Sequence, residues 1–203
     1  LIHELIEFRR IETGNREVRV ESLNVSSIVK GIAKTFVEMA KSRNITFLSK
    51  IPEQVMWNSD KGFLNTIIIN LISNAFKYTP DGQSLKIEVD TSRENMLALR
   101  VANEGSTIKE KDFQYIFNRY AILDNFENQD EKNFSRNGLG LAISYNMAKL
   151  LNGTLKVENT SDGWVMFTLT LPVMELTTGV SETKRLMAEY IPKIDTQPIL
   201  KLP

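Results

Sequence analysis

The chain has 203 residues, 42% hydrophobic and 25% charged, which suffices for one well-buried domain with appendages. Lys+Arg and Asp+Glu both number 25, so no charge excess points to nucleic acid or to an anionic membrane. The lack of cysteine excludes a disulfide scaffold and a thiolate metal site, and a single histidine argues against a histidine-built one.

Residues 1–13 put Leu1, Ile2, Leu5, Ile6, Phe8 and Ile11 on one side of a helix, which Gly14 and Asn15 end. Such a helix is marginal alone, so its apolar side expects a partner. Charges run through it, unlike a signal peptide, and no apolar run approaches the roughly 20 residues that cross a bilayer. Opening on Leu1 in mid-helix, the chain reads as a piece of a longer protein. Residues 16–22 suit a short strand. Asn24 or Ser26 opens a helix reaching Ser42, with Ile28, Val29, Ile32, Phe36, Val37 and Met39 as its buried side. Residues 45–51 and 55–57 read as strands.

Residues 60–80 form the stretch around which the rest is arranged. Ser59 or Asp60 caps a helix start and Pro80 stops it. Leu64, Ile67, Ile68, Leu71, Ile72 and Ala75 recur at helical spacing, and Asn70, Asn74 and Lys77 line up along the border of that apolar face, with Tyr78 beside them. Asparagine is a poor residue for a helix interior. Two of them a turn apart either bond nearby backbone or offer hard, neutral carbonyl oxygens of the kind that suit Mg²⁺.

Residues 85–90 and 96–102 alternate as two strands, 109–120 read as a helix, and 121–137 as a polar, irregular loop. In that loop Asp124, Glu127, Asp130 and Glu131 face Lys132 and Arg136, a balance that suits a solvated loop better than a metal site. Residues 139–151 are helical, ended by Asn152-Gly153, and 155–159 and 165–171 form a hairpin turning at Ser161-Asp162-Gly163. Grouped rather than regularly alternating elements favour an α+β class: a two-layer sandwich of one mixed β-sheet under about three α-helices, with an N-terminal helix fragment. The organisation expected is 1–15, 16–172 and 173–203, the last with a helical patch around 182–190.

The run Asn70-Leu71-Ile72-Ser73-Asn74-Ala75-Phe76-Lys77-Tyr78-Thr79-Pro80 closely resembles the asparagine box of sensor histidine kinases. Their ATP-binding sandwich is shared with type II topoisomerases, mismatch-repair ATPases and the heat-shock chaperone ATPase. Further matches follow in the family's order. Asn103-Glu104-Gly105-Ser106-Thr107-Ile108 is similar to the first glycine box, with Asn103 for the usual Asp and Thr107 for its second Gly. Ile116-Phe117-Asn118-Arg119-Tyr120 looks like the phenylalanine box, and Arg136-Asn137-Gly138-Leu139-Gly140-Leu141 like the second glycine box, with Arg136 where Gly is usual. Leu5-Ile6-Glu7-Phe8-Arg9-Arg10-Ile11-Glu12-Thr13-Gly14 resembles the end of the second helix of the dimerisation-and-phosphotransfer hairpin. His3-Glu4 begins like the phospho-accepting motif but continues differently, so His3 reads as an ordinary helix residue.

The resemblance implies an ATP-dependent histidine kinase domain with ATP and Mg²⁺ as cofactors. It implies Asn74 as the Mg²⁺ ligand, Asn70 flanking it, Lys77 facing the phosphates, and Tyr78 near the base. It implies Asn103 accepting from adenine, without the charge that strengthens a carboxylate's bond. Gly105, Ile108, Leu139, Gly140 and Leu141 complete the nucleotide's surroundings, the Gly138–Gly140 backbone meets phosphate oxygens at a helix start, and Arg119 approaches the phosphates or the transfer site; Arg136, where the family has Gly, either stiffens the loop 121–137 or adds a phosphate contact. Related ATPases that hydrolyse ATP carry glutamate in place of Asn70, and an amide cannot take water's proton. This favours a kinase over a hydrolase or a topoisomerase-like dimer clamp. The alternative is a degenerate, non-catalytic module that relays signals by protein contacts, kept open by Asn103, Thr107 and Arg136. Expected partners are the chain's own hairpin and a response-regulator receiver domain, in a homodimer, with no nucleic acid. The expected location is cytoplasmic, the parent anchored in the inner membrane. Residues 173–203 resemble the linker towards a receiver domain in hybrid kinases; a tail with no function is the other reading.

Overall fold

The computed structural model describes residues 16–118 and 139–177, together with Ile6, Arg9 and Thr13. An N-cap starts each of the first two helices. Asn24 accepts from the Ser27 amide at the head of α1 (Val25–Ser42), and Asp60 accepts from the Phe63 amide at the head of α2 (Lys61–Tyr78). The apolar face of α2 is completely buried: Leu64, Ile67, Ile68, Leu71, Ile72 and Ala75 are each 0% exposed. Burial of each larger one contributes about 1.5–3 kcal/mol, so this helix anchors the core. Thr79 leaves helical geometry ahead of Pro80, as a residue before proline tends to do.

The strands are β1 (Glu21–Asn24), β2 (Thr46–Lys50), β3 (Met56–Ser59), β4 (Ser84–Asp90), β5 (Met96–Glu104), β6 (Thr154–Asn159) and β7 (Trp164–Pro172). Helix α3 (Gly140–Leu150) precedes the last hairpin, which turns through Gly163 at positive φ. Five strands form one mixed sheet in the order β2-β4-β5-β7-β6, with β2 parallel to β4 and the other pairs antiparallel. β1 and β3 make a separate antiparallel pair. Alternation does the layering. Leu85, Ile87 and Val89, Leu97, Leu99 and Val101, and Val165, Phe167, Leu169 and Leu171 turn to the core. The opposite face carries Lys50–Glu88 at 2.9 Å, Arg100–Asp90 at 3.1 Å and the Thr154–Thr170 hydroxyl pair at 2.6 Å. The α+β sandwich of a mixed sheet under three helices is the class expected.

Three local expectations need correction. Residues 109–120 were expected to be helical, but Glu110–Asp112 is a 3-10 turn followed by turns to Asn118. Its backbone bonds mostly span three residues, as in Asp112 to Lys109 and Asn118 to Tyr115. Asp, Asn and aromatic residues support a longer helix poorly, and the turns let Ile116 enter the core. Met39 is 39% exposed rather than buried, and Ile28, Ile32, Phe36 and Val37 are only half-buried. The fully buried apolar residues of α1 are Val25, Val29, Ala33 and Ala40, so Val29 is buried as expected, while Ile28, Ile32 and Phe36 pack partly buried against the core and Phe36 meets Phe76 of α2 at 6.2 Å. The first strand begins at Glu21 rather than residue 16.

The chain after β7 docks on the opening segment. Val20 donates to the Thr177 hydroxyl at 2.7 Å, Thr177 donates its amide to the Val20 carbonyl at 3.0 Å, and Asn58 donates to the Met174 carbonyl at 3.0 Å. Among the described residues, no helix is long and apolar enough to cross a membrane. The helix expected over 1–13 and His3 lie outside the described residues, apart from Ile6, Arg9 and Thr13, as does the patch at 182–190.

Candidate functional site

Helix α2 brings its amide row to the start of α3. The Asn70 amide nitrogen donates to the Gly140 carbonyl at 3.0 Å and lies 3.1 Å from the Ser144 hydroxyl. A carbonyl can only accept, so the nitrogen of this amide faces α3. Ser144 is fully buried, a polar group on an otherwise apolar helix face. Helix α3 begins at Gly140 with no side-chain cap and no acidic residue in its first turn. Among the described residues its leading N–H groups therefore have no side-chain cap. A Cβ on Gly140 would make only ordinary contact with Asn70, at 3.5 Å, so that neighbour does not demand glycine.

One turn further along α2, Asn74 is half-buried, and its side chain has no hydrogen bond among the described residues. Lys77 and Tyr78 close the row, both half-buried, the ammonium 5.0 Å from the ring centroid. The sequence-predicted residues Asn70, Asn74, Lys77 and Tyr78 thus border one edge of the core, with Asn70 in contact with Gly140.

The turn after β5 comes to the C-terminal end of α2, beside Lys77 and Tyr78. Gly105 has φ +80°, and a Cβ there would approach Pro80 Cδ and Cγ to 3.1 Å and Gln83 Cγ to 3.2 Å. Glycine is needed both for the backbone angle and for the proline that stops the helix. Asn103 is buried, and its amide nitrogen donates to the Ser106 hydroxyl at 2.6 Å, which leaves the side-chain oxygen as the group able to accept. Ile108 is buried, and Asn159 of β6 clamps its backbone from both sides: the Ile108 amide donates to Asn159 Oδ1 at 3.1 Å and Asn159 Nδ2 donates to the Ile108 carbonyl at 2.7 Å. Leu139 is buried and Leu141 half-buried, so both are packing residues at the head of α3. Phe117 stacks on Tyr145 at 5.1 Å and meets Phe167 edge-on at 6.4 Å, and so packs against the core. Arg119, Arg136, Gly138 and the loop 121–137 lie outside the described residues.

Four contributors were missed from the sequence. Ser144 stands one turn after Gly140, a polar interruption of an apolar face that could have flagged it. Asn159 looked like an ordinary strand end and gave no signal. Asp60 was read as a cap, yet its second oxygen accepts from the Arg19 amide at 2.8 Å. Arg43 gave no signal in the sequence, and its contacts reach the end of α2 and Asp81. Among the described residues no cluster of three or more acidic or histidine side chains could hold a metal. A divalent ion here would rest on amide oxygen, phosphate and water, the arrangement Mg²⁺ favours.

The family model for histidine kinase-, DNA gyrase B- and HSP90-like ATPases matches residues 59–175. Among curated relatives, histidine kinase P4 of Formosa agariphila is 30% identical over 175 residues, covering 85% of this chain and 13% of the relative. Hybrid signal transduction histidine kinase D of Dictyostelium discoideum is 28% identical over 178 residues, covering 85% and 11%. The chain therefore spans only about an eighth of the length of these relatives. Among solved structures, full-length ShkA in complex with AMPPNP superposes with a TM-score of 0.72 at 18% identity, over 86% of this chain and 36% of that one. The catalytic domain of histidine kinase ThkA superposes with 0.66 at 21%, over 77% of this chain and 99% of that one. At these identities the likeness establishes the fold.

Proposed function

The chain belongs to the family of histidine kinase-, DNA gyrase B- and HSP90-like ATPases, and from that premise we propose that it is the ATP-binding catalytic domain of a sensor histidine kinase. The reaction is transfer of the ATP γ-phosphate to a histidine on an upstream dimerisation hairpin. A ring nitrogen of that histidine attacks the γ-phosphorus, the bond to the bridging oxygen breaks, and ADP departs.

The observation that carries the proposal is Asn70 seated on the uncapped start of α3. Its nitrogen is committed to the Gly140 carbonyl, a place no carboxylate could fill without setting oxygen against oxygen. On this reading an amide stands in place of a water-activating base, beside α3 backbone N–H groups that have no side-chain cap among the described residues. In phosphoryl transfer the protein supplies mainly position and charge neutralisation. Lys77 and the Gly138–Gly140 backbone hold phosphate oxygens, Arg136 adds a contact to them, and Arg119 approaches the transferred group. Asn103 accepts from the adenine amino group through its free oxygen, and Tyr78 packs beside the ring. Gly105, Ile108, Leu139 and Leu141 shape the walls. Asn74, whose amide is half-buried and unbonded among the described residues, fits Mg²⁺ and would hold it. When bound, that ion neutralises phosphate charge.

On the same reading, residues 1–15 end the dimerisation hairpin, 16–172 are the catalytic domain, and 173–203 lead towards a receiver domain. The parent is a homodimer that passes phosphate to a receiver, working at the cytoplasmic side of an inner membrane. The test is incubation with radiolabelled ATP, Mg²⁺ and a histidine-bearing hairpin supplied in trans. Acid-labile label on the hairpin, with negligible steady-state ATP hydrolysis, is the expected result. Brisk Mg²⁺-dependent hydrolysis without labelling overturns the role given to Asn70.

A further inference from the structure

Residues Lys77 and Tyr78 stand at the very end of α2, where a helix has unsatisfied carbonyls and tends to fray. Here the end is held by a side chain from another element. Arg43, the last-turn boundary of α1, sends Nη1 to the Phe76 carbonyl at 2.9 Å, Nη2 to the Thr79 carbonyl at 2.8 Å, and Nε to Asp81 Oδ1 at 2.7 Å. Its guanidinium carbon also lies 5.2 Å from the Phe76 ring centroid, and its own carbonyl accepts from the Gly82 amide at 3.2 Å. The two carbonyls it grips bracket Lys77–Tyr78 on either side. The next residue, Pro80, is the one that Gly105 abuts.

We propose that Arg43 is a positioning residue for the nucleotide: its planar fork fixes the Phe76–Thr79 turn, and through it the direction of Lys77 and Tyr78 and the seat of the Gly105 turn. The inference rests on the functional reading above. A rigid fork with several donors is required, because a lysine ammonium is a point charge and cannot hold two carbonyls and a carboxylate in a fixed plane. Asp81 is exposed, so its ion pair adds little by itself; the two carbonyl bonds carry the role. A purely stabilising cap would leave a ligand that touches Lys77 and Tyr78 indifferent to Arg43 in the folded protein. A positioning residue makes ligand affinity depend on the three together.

The experiment titrates the chain with AMP-PNP and Mg²⁺ by calorimetry, in wild type, Arg43→Ala, Arg43→Lys, Tyr78→Ala and the Arg43→Ala/Tyr78→Ala double variant. Amide exchange of Lys77 and Tyr78 is measured without nucleotide in each. The expected result is a loss of affinity of roughly tenfold for Arg43→Ala, no rescue by lysine, and a double variant barely weaker than the weaker single one, since coupled residues do not add. Exchange should quicken at residues 76–82 and stay unchanged in β4, β5 and β7. Wild-type affinity in both Arg43 variants, or losses that simply add, overturns the inference. If wild type binds no nucleotide the functional reading fails instead; unchanged exchange at 77–78 in either Arg43 variant then overturns the positioning role on its own. Should the alanine variant not fold, the lysine variant carries the same comparisons.

Discussion

Replacing Asn70 by aspartate tests the contact on which the site is built. The substitution keeps size and shape and removes the N–H donors. Two bonds are at stake, to the Gly140 carbonyl at 3.0 Å and to the Ser144 hydroxyl at 3.1 Å, each worth about 0.5–1.5 kcal/mol net. The serine hydroxyl can rotate and donate to the new carboxylate, so that bond survives. The Gly140 carbonyl cannot, and faces an anionic oxygen instead. Against this, a carboxylate beside the first turn of an uncapped helix gains about 0.3–1 kcal/mol. Asn70 reaches the flank of that turn rather than its tip, so the gain falls at the low end. The net expectation is a loss of about 1–2 kcal/mol, or roughly 2–8 °C in Tm for a domain of this size. Thermal unfolding followed by circular dichroism at neutral pH measures it. Acidification should narrow the gap to wild type, because a protonated carboxyl can donate to Gly140 again. A variant that melts at or above the wild-type temperature would refute the claim that the amide nitrogen is held by α3.

Other expectations follow from single contacts. Asp60→Asn keeps a good N-cap but turns an amide nitrogen towards the Arg19 amide, so it should cost about 1.5–3 kcal/mol, and Asp60→Ala about 1 kcal/mol more; equal denaturant midpoints for wild type and Asp60→Asn would show that the Arg19 bond contributes nothing. Gly105→Ala forces an L-residue to φ +80° and a Cβ against Pro80, so a loss of at least about 1–2 kcal/mol is expected, read from chemical unfolding; a neutral effect would mean the turn relaxes freely. The Ser92 backbone amide, the Ser92 side chain and Arg100 hold the Asp90 carboxyl at a pKa of about 2, below its usual 3.8. Its contribution to stability is therefore complete above pH 3.8 and lost as pH falls towards 2, so Asp90→Asn should flatten the stability profile in that window and leave the slope above it unchanged.

The fold was legible where one rule dominated. The apolar spacing of α2, its Asp60 start and Pro80 stop, and the alternation of β4, β5 and β7 each agree with the structure because burial and local chemistry point the same way. On α1 the expectation held for Val29 and in part for Ile28, Ile32 and Phe36, which pack against the core, Phe36 on Phe76 of α2. The fully buried Ala33 and Ala40 were missed because alanine adds little to an apolar pattern. Residues 110–118 have helical spacing, but their tertiary task is to deliver Ile116 and Phe117 to the core, which turns do better. The asparagine row was readable because asparagine is costly inside a helix. Its supports were not. Ser144, Asn159 and Arg43 act across 74, 51 and 33–38 residues of chain, and apart from the polar break Ser144 makes in an apolar face, nothing in their own neighbourhoods shows it.

All of these contacts converge on whether a divalent ion and a triphosphate bind against the amide edge of α2. Calorimetric titration of the chain with AMP-PNP, with and without Mg²⁺, in wild type and Asn74→Ala decides it. Wild type should bind the nucleotide more tightly with Mg²⁺ than without, and Asn74→Ala should lose that difference while keeping the wild-type melting temperature. Equal, feeble binding by both proteins up to millimolar nucleotide, with no response to Mg²⁺, would contradict it and favour a module that relays signals by protein contact alone.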